Sequence, residues 1–377
     1  MTPPPSGARA ASARRPRKPP TIFDVAAEAG VSKSTVSNVV RGLEEVSSGT
    51  RERVLLAIER LNYKPNTIAR QFVQQRTTIL GVLLGDLSNP YYAQMAQVVE
   101  RTAFGFGYTT MFCNIEGADG MASTGVESLL GHRVAGIVFL AFVPRRSQVN
   151  DLLQEAGVPI VFLGLSESWG DSVGPQDRAG GRLATNHLLE LRHRRIGYVR
   201  TPLVERSGDH ARYEGYRTAL RAAGLQPLPA LVWEPGADTV TVARKTLAFE
   251  AAVTGPRAPT ALFVSNDIGA IAVIEACERC GLNVPESMSV IGFDGIALAG
   301  LHRISLTTVA QPLGFQAEQA VSLLLERIKN PLVDPRHVRV PVRLQVREST
   351  DAPAGRARSS RSARPRASGN DARSRSD

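Results

Sequence analysis

Cysteine is scarce in this chain of 377 residues, which has only Cys113, Cys277 and Cys280. Three thiols cannot build a disulfide framework, and their scarcity fits a reducing compartment. Cys277 and Cys280 have C-x-x-C spacing, but they fall late in a stretch patterned as a helix, AIAVIEACERC. A redox motif would follow a strand, so ordinary packing is the reading here. Long apolar runs are also missing. No stretch approaches the length needed to span a bilayer, and MTPPPSGARAASARRPRKPP at the N-terminus has no apolar segment to serve as a signal core. The expectation is a cytoplasmic protein with no membrane partner. Catalytic signatures are absent too: there is no G-x-x-x-x-G-K-[ST], no H-E-x-x-H and no G-x-S-x-G, and GLSES at 164–168 only approaches the last. AFGFG at 103–107 ends a helix-patterned stretch and is no phosphate loop. A non-enzyme without cofactor or metal is expected.

Acidic residues are missing from one region in particular. Residues 1–20 hold five basic side chains and no acid, and residues 351–377 hold seven basic against three acidic. Residues 77–350 carry 25 basic and 26 acidic side chains. The net charge of +10 therefore resides in the first 76 residues and the last 27, which points to an acidic partner for the ends and not for the middle. Both ends are rich in Pro, Arg, Ser, Ala and Gly and poor in aliphatic side chains, so neither can offset its ordering entropy by burial. Residues 1–20 and 351–377 are expected to be disordered tails. Each is either a solvated tail or a weak, salt-sensitive DNA contact.

The stretch TIFDVAAEAGVSKSTVSNVVRGLEEVSSGTRERVLLAIERLNYKPNTIARQF, residues 21–72, has the pattern of three short helices and a brief fourth. Thr21 and Asp24 form a capping-box-like pair, and Gly30 ends the first helix. Ser32 can cap the second, in which Val36, Val39 and Val40 fall on one side at the 3.6-residue period. The opposite arc carries Lys33, Ser34, Ser37, Asn38 and Arg41. A helix that packs on one side and offers hydrogen-bonding or cationic groups on the other suits major-groove reading. Ser47 or Ser48 opens a third helix, with Val54, Leu55, Ile58 and Leu61 completing the small core. The short AGVS turn between the first two gives helix-turn-helix geometry.

From Thr78 the pattern alternates. The apolar runs ILGVLLG (79–85), AGIVFLA (135–141), PIVFLG (159–164), IGYV (196–199), ALFVSN (261–266) and SVIGF (289–293) read as strands. Amphipathic stretches at 90–104, 179–191, 210–223, 267–280 and 313–328 read as helices. Such alternation predicts parallel sheets with helices on both faces, and the span suggests two of them. Ligands in these architectures sit at the carboxyl ends of the strands, here in a cleft between two lobes.

Across roughly residues 21–350 the chain resembles the lactose-repressor (LacI/GalR) family of transcription regulators. DVAAEAGVSKSTVSNVV is similar to that family's helix-turn-helix, TRERVLLAIERLNYKPN to its third helix and approach to the hinge, and SNPYY (88–92) to its first strand-to-helix junction. AGGRLATNHLLELRHRRIGYV (179–199), SNDIGAIAV (265–273), VPESMSVIGFD (284–294), SLTTVAQP (305–312) and VRES (346–349) resemble landmarks of its body. The resemblance implies an N-terminal all-α helix-turn-helix head and an α/β body of two doubly wound parallel-sheet lobes, like periplasmic sugar-binding proteins. The corresponding division is a head at 21–64, a hinge helix and linker at 65–77, and an effector-binding and dimerisation body at 78–350. It also implies a homodimer or dimer of dimers on a pseudo-palindromic double-stranded operator, with repression as the usual mode.

For DNA the resemblance implies contacts from Thr21, Lys33, Ser34, Thr35, Ser37, Asn38 and Arg41 in the head, and from Asn66, Ala69 and Phe72 in the hinge. The family's hinge is disordered when free and becomes a short helix on the operator, as a segment too short to be helical alone requires. Two residues depart from the pattern. Asn38 stands where relatives usually carry Arg, so it either pairs with adenine through its amide or is exposed and merely tolerated. Phe72 stands where the family wedges a Leu into the minor groove; it is either a larger wedge or a linker residue packed on the body.

For the effector the resemblance implies Asn89, Tyr91, Tyr92, Arg206, Arg212, Asn266, Asp267 and Asp294. A forked guanidinium opposite an acceptor-only carboxylate is the usual equipment for fixing vicinal hydroxyls, which points to a sugar or related polyol. A nucleobase or nucleoside remains open, as does a structural ion pair for Arg212 and Asp294. A solute-binding protein that does not bind DNA is the remaining alternative, and the head argues against it. GPQDRAGG (174–181) is shorter than the family form, and the resemblance carries Asp177 within it over as a further effector position. Arg192 replaces the glycine of the HLxxLGH pattern at a helix end. His187 and His193 read as core or helix-end groups, not ligands.

Overall fold

The computed structural model describes residues 20–40, 43, 45–63, 77–115, 119–141, 148–164, 169–200, 208–229, 231–232 and 252–353. The chain divides into two compact units, one ending at Thr77 and the other beginning at Thr78. Most of the two tails and the hinge lies outside the described residues. So do the predicted site residues Arg41, Asn66, Ala69, Phe72 and Arg206.

The first unit is a three-helix head, with α1 at Ile22–Ala29, α2 at Lys33–Val40 and α3 at Ser48–Leu61. At its start the Thr21 backbone N–H and hydroxyl both donate to one oxygen of Asp24, each at 2.7 Å. These bonds hold the Asp24 carboxyl below its usual range. Gly30 sits at φ 64°, a left-handed geometry that lets the chain turn sharply into α2. Ser32 then accepts from the Thr35 N–H at 3.1 Å, capping α2 as its sequence predicts. Val25, Val36, Val39, Val54 and Ala57 form the buried centre.

One residue of the predicted head core is misassigned. Leu55 is 53% exposed, and Ala57 is buried instead. Val54, Ala57, Ile58 and Leu61 follow the i, i+3, i+4, i+7 spacing of a single helical face, whereas Leu55 is turned about 100° from Val54. Hydrophobicity alone does not choose between adjacent residues; the register against α1 and α2 does.

The second unit contains two six-stranded sheets. The first has the order β11-β5-β4-β3-β1-β2, formed by β1 Ile79–Leu84, β2 Thr109–Asn114, β3 Gly136–Leu140, β4 Ile160–Leu163, β5 Asp171–Pro175 and β11 His337–Val340. The second has the order β12-β10-β9-β8-β6-β7, formed by β6 Ile196–Arg200, β7 Leu231–Val232, β8 Ala261–Val264, β9 Ser289–Asp294, β10 Thr307–Ala310 and β12 Arg343–Gln345. The six predicted strands are all present. β2, β5, β7, β10, β11 and β12 were not read from the sequence, because they are short or lack a continuous apolar run. Pairing is parallel except between β10 and β12, which departs from the purely parallel expectation at one sheet edge.

Burial on both faces explains the uninterrupted apolar runs. In β1, Leu80, Val82 and Leu84 face α4 (Pro90–Gly105) and α10 (Leu313–Lys329), while Leu83 packs on the other side. There it meets Val126 of α5 (Asp119–Gly131) and Val149 of α6 (Gln148–Glu155). In the second sheet, Tyr198 and Phe263 pack toward α7 (Asp177–Glu190) and α8 (Gly208–Ala222), while Val199 and Val264 pack toward α9 (Asp267–Arg279). α10 follows β10 of the second sheet but buries Ala317, Ala320, Val321 and Leu324 against the first. The chain thus passes between lobes before α7, before α10 and again between β11 and β12. The two lobes are thus joined by three crossings of the chain, a connection that permits hinge motion.

His193 is fully buried, with Nδ1 2.8 Å from the Thr260 hydroxyl and Nε2 2.8 Å from the Asp351 carbonyl oxygen. His187 Nε2 meets the Thr350 hydroxyl at 3.0 Å. Burial holds both imidazoles below their usual pKa. Their reading as packing groups stands, and they have a further use: with Ser289, whose hydroxyl accepts from the Asp351 N–H at 3.0 Å, they tie down the end of the body. Asp351, assigned to the tail by its sequence, is thus bonded to the body, and the described chain runs to residue 353. Cys277, on α9, is buried and its thiol is free. No helix among the described residues is long and apolar enough to cross a membrane.

Candidate DNA interface and effector site

On α2 the polar arc survives folding. Lys33 and Ser34 are exposed and Ser37 and Asn38 half-buried, opposite buried Val36 and Val39. The Lys33 ammonium lies 5.1 Å from the centre of the exposed Phe23 ring, which steadies the long side chain near the helix start. Thr35 shares its hydroxyl with Ser32 at 2.8 Å. Thr21 is different: its hydroxyl proton is committed to Asp24, so it has only lone pairs to offer and cannot donate to a phosphate without breaking the capping box.

In the body, the effector candidates separate into three groups. Arg212, Asp294 and Tyr91 come together. Arg212 Nε donates to Asp177 Oδ1 at 2.8 Å, and its Nη1 donates to the Ser265 carbonyl at 2.6 Å and lies 3.6 Å from Asp294 Oδ1. Its guanidinium stacks 3.7 Å from the centre of the Phe293 ring. Tyr91, at the start of α4 in the first lobe, packs against the cores of both lobes. Burial raises its phenol pKa, the nearby Asp294 charge adds to that, and the hydroxyl stays protonated. Tyr92 touches Tyr91 edge-on at 5.2 Å.

Asn89 and Asn266 are helix caps. The Asn89 side-chain oxygen accepts from the Tyr91 N–H at 3.0 Å, and that of Asn266 from the Gly269 N–H at 2.7 Å. Each still has its side-chain NH₂ to offer a ligand. Asp267 is fully buried and engaged internally, accepting from the Gly295 and Ile296 N–H groups at 2.7 and 2.9 Å and from the Thr308 hydroxyl. It fixes the turn after β9 that holds Asp294, whose backbone sits at φ 126°, a strained value for a residue with a side chain.

The three carboxylates respond to burial in the same direction. Desolvation raises the Asp177 carboxyl even with Arg212 beside it. Asp267 is also raised, against its hydrogen bonds. Asp294 is pushed up to about 8, burial outweighing Arg212, with the Asp267 charge adding to the rise. Gln311 steadies Asp294 by donating to Oδ1 at 2.8 Å. One guanidinium facing crowded carboxylates makes a site of many acceptors and a single forked donor, which suits a ligand rich in hydroxyl groups.

What brings Asp177 to Arg212 is the contact of α7 with α8. A Cβ on Gly181 would collide with the Arg212 carbonyl, and one on Gly215 with the Arg178 carbonyl. Glycine at both places lets the two backbones touch, which seats the first residue of α7 against the Arg212 side chain. Asp177, carried over from GPQDRAGG, joins the cluster. Ser265, Phe293 and Gln311 also reach it although the sequence reading did not select them; each lies within a stretch that resembles a landmark of the family's body.

The sequence profile of the bacterial regulatory proteins, lacI family, matches residues 21–66, and that of the periplasmic binding protein-like domain matches residues 185–350. Catabolite control protein A of Priestia megaterium is 33% identical over 332 residues, covering 88% of this chain and 99% of the relative. The ribose operon repressor of Escherichia coli K12 is 33% identical over 334 residues, covering 87% and 99%. A crystal structure of the lac repressor dimer bound to operator and the anti-inducer ONPF superposes with a TM-score of 0.77 at 29% identity, covering 89% of this chain and all of that one. With a helix-turn-helix head, a two-lobed body and relatives matched over nearly their whole length, the chain belongs to the LacI family of bacterial regulatory proteins.

Proposed function

We propose that this protein is a sequence-specific transcriptional repressor, not an enzyme, whose grip on operator DNA is set by a sugar bound between the lobes of its body. The single observation that carries the reading is the Arg212–Asp177–Asp294 cluster of the second lobe with Tyr91 of the first lobe beside it. The name of the ribose operon repressor supports a sugar. On this reading Arg212 and Asp294 hold adjacent hydroxyls, Tyr91 and Tyr92 cover a ring face, and the Asn89 and Asn266 amides donate from the helix starts. Lys33, Ser34, Ser37 and Asn38 read base edges, Thr35 and Arg41 hold the helix on its groove, and Thr21 lies at the backbone end. Asn66, Ala69 and Phe72 act at the operator centre, and Arg206 joins Arg212.

Coupling follows from linkage. An effector changes DNA affinity only by binding two lobe arrangements unequally, and a ligand touching Tyr91 on one side and Arg212 on the other does so. The working form is a cytoplasmic homodimer on a two-fold operator, since paired half-sites require paired heads. The test is a selection of bound DNA from a random pool, repeated with a panel of pentoses, hexoses and nucleosides. A two-fold consensus whose recovery changes with a sugar is expected. Recovery without sequence preference would reject the regulator reading, and a response to nucleosides alone would reject the sugar.

A further inference from the structure

Arg200 ends β6, at the carboxyl edge of the second sheet. It directly follows Val199, whose carbonyl accepts from the Ser265 N–H at 2.9 Å. The Ser265 carbonyl in turn receives Arg212, so Arg200 borders the effector cluster through two links of backbone. Only 7% of Arg200 is exposed. Arg212 and Arg327, similarly covered, each hold a buried carboxylate, Asp177 and Asp171 at 2.8 and 2.9 Å. Among the described residues Arg200 pairs with no carboxylate, and its Nε is buried with no hydrogen-bond partner. What it has is the Tyr213 ring, 5.2 Å from the guanidinium carbon. Arg217 shares that ring at 5.7 Å but is neutralised by Glu214 at 2.7 Å.

A guanidinium cannot shed its proton, so a buried one without an anion is a standing cost to the fold. Aromatic stacking offsets part of that cost and keeps the planar fork in one orientation while leaving its N–H groups unspent. The period of the strand puts Arg200 on the same side as Tyr198, whose hydroxyl donates to Asp209 of α8 at 2.6 Å, so that carboxylate is already engaged. A rigid, unspent fork at the ligand-binding edge of a parallel sheet suits an incoming phosphate or carboxylate.

We propose that the effector is an anionic sugar, a phosphate ester or a sugar acid, and that Arg200 receives its charged group while the Arg212 cluster holds its hydroxyls. The proposal rests on the sugar reading of the body and narrows it to one charge class. It treats Arg200 as a specificity residue that touches ligand.

Titration calorimetry and thermal melting of the full-length protein test it, with ribose, ribose 5-phosphate, glucose 6-phosphate, gluconate and inorganic phosphate as probes, on wild type and Arg200→Met. Wild type is expected to bind at least one anionic sugar at least about tenfold more tightly than its neutral parent, the scale of one charge-assisted hydrogen bond. Arg200→Met is expected to lose that preference, keep its affinity for the neutral sugar, and melt without ligand no lower than wild type, because an unpaired buried charge has gone. Neutral sugars bound as well as anionic ones by wild type would overturn the proposal and leave the sugar reading intact. So would a preference for the anion that survives in Arg200→Met. A variant that melts well below wild type, with no anion stabilising the wild type, would show a purely structural arginine and overturn it too. Phosphate stabilising wild type but not Arg200→Met, with no sugar bound by either, would uphold the anion site and reject the sugar.

Discussion

Arg212 reaches Asp177 at 2.8 Å across the contact between α7 and α8, and the same guanidinium lies 3.6 Å from Asp294 on a different strand. One cation therefore holds two buried acids that are 117 residues apart in the chain. Removing it leaves both without their counter-charge. Arg212→Met is expected to lower unfolding free energy by about 3–5 kcal/mol at pH 8, with Asp177→Asn in the same chain restoring part of the loss. Urea unfolding of the two variants measures this. A single variant as stable as wild type would mean that the pair does not hold the lobe.

Asp294 gives the protein a pH dependence of definite sign. Its folded-state pKa of about 8 lies above the ordinary carboxyl value near 3.9, so the folded chain binds this proton more tightly than the unfolded chain does. The associated stability is fully present below the unfolded value and is lost as pH rises through about 8. Without ligand, stability should decline across that window, and Asp294→Asn should flatten the decline. Unfolding series from pH 5 to 9 on both proteins compare the slopes; identical slopes would remove Asp294 as the cause.

Arg192 occupies a left-handed position, φ 72°, just past the end of α7. A residue with a Cβ is less favourable there by about 1–2 kcal/mol than glycine, less the greater freedom glycine has when unfolded. Arg192→Gly should therefore stabilise the body by about 1 kcal/mol. A urea midpoint that falls on substitution would show that the Arg192 side chain makes a contact worth more than the backbone strain.

Asn38 lies on the polar side of α2, two residues from buried Val36 and with its side chain half-covered. Asn38→Arg is expected to move the preferred base pair at one position of each half-site from adenine toward guanine, by about 1–3 kcal/mol of discrimination, while the remaining positions hold. Binding-site selection with both proteins decides it. An unchanged consensus would mean that Asn38 reads nothing. In the same assay Phe72→Ala should abolish specific binding and spare non-specific binding, and equal loss of both would remove its role as a wedge.

Much of the fold was readable because it is encoded locally. Thr21 with Asp24, Gly30 and the Val36–Val39 spacing each act within a few residues, so the head could be drawn from sequence. The six apolar strands announced themselves because both their faces are buried. Edge strands such as β2 and β12 did not, since exposed residues like Thr109 and Arg343 break any continuous apolar run.

Leu55 shows the limit on the head: its hydrophobicity was evident, but which face of α3 turns inward depends on packing against two other helices. Asp267 shows it in the body. The resemblance marked Asp267 as a ligand group, and only the folded chain reveals that backbone N–H groups from the turn after β9 already occupy it. Local pattern was enough to give the head helices, the six strands buried on both faces, the family, and the kind of residues that gather at the strand ends. Tertiary structure decided which charges meet. The partnership of Arg212 with Asp177 exists because Gly181 and Gly215 let two helix backbones touch, and Arg200 stacks on Tyr213 with no acid against it among the described residues. Such pairings depend on contacts between distant parts of the chain, which no local pattern records.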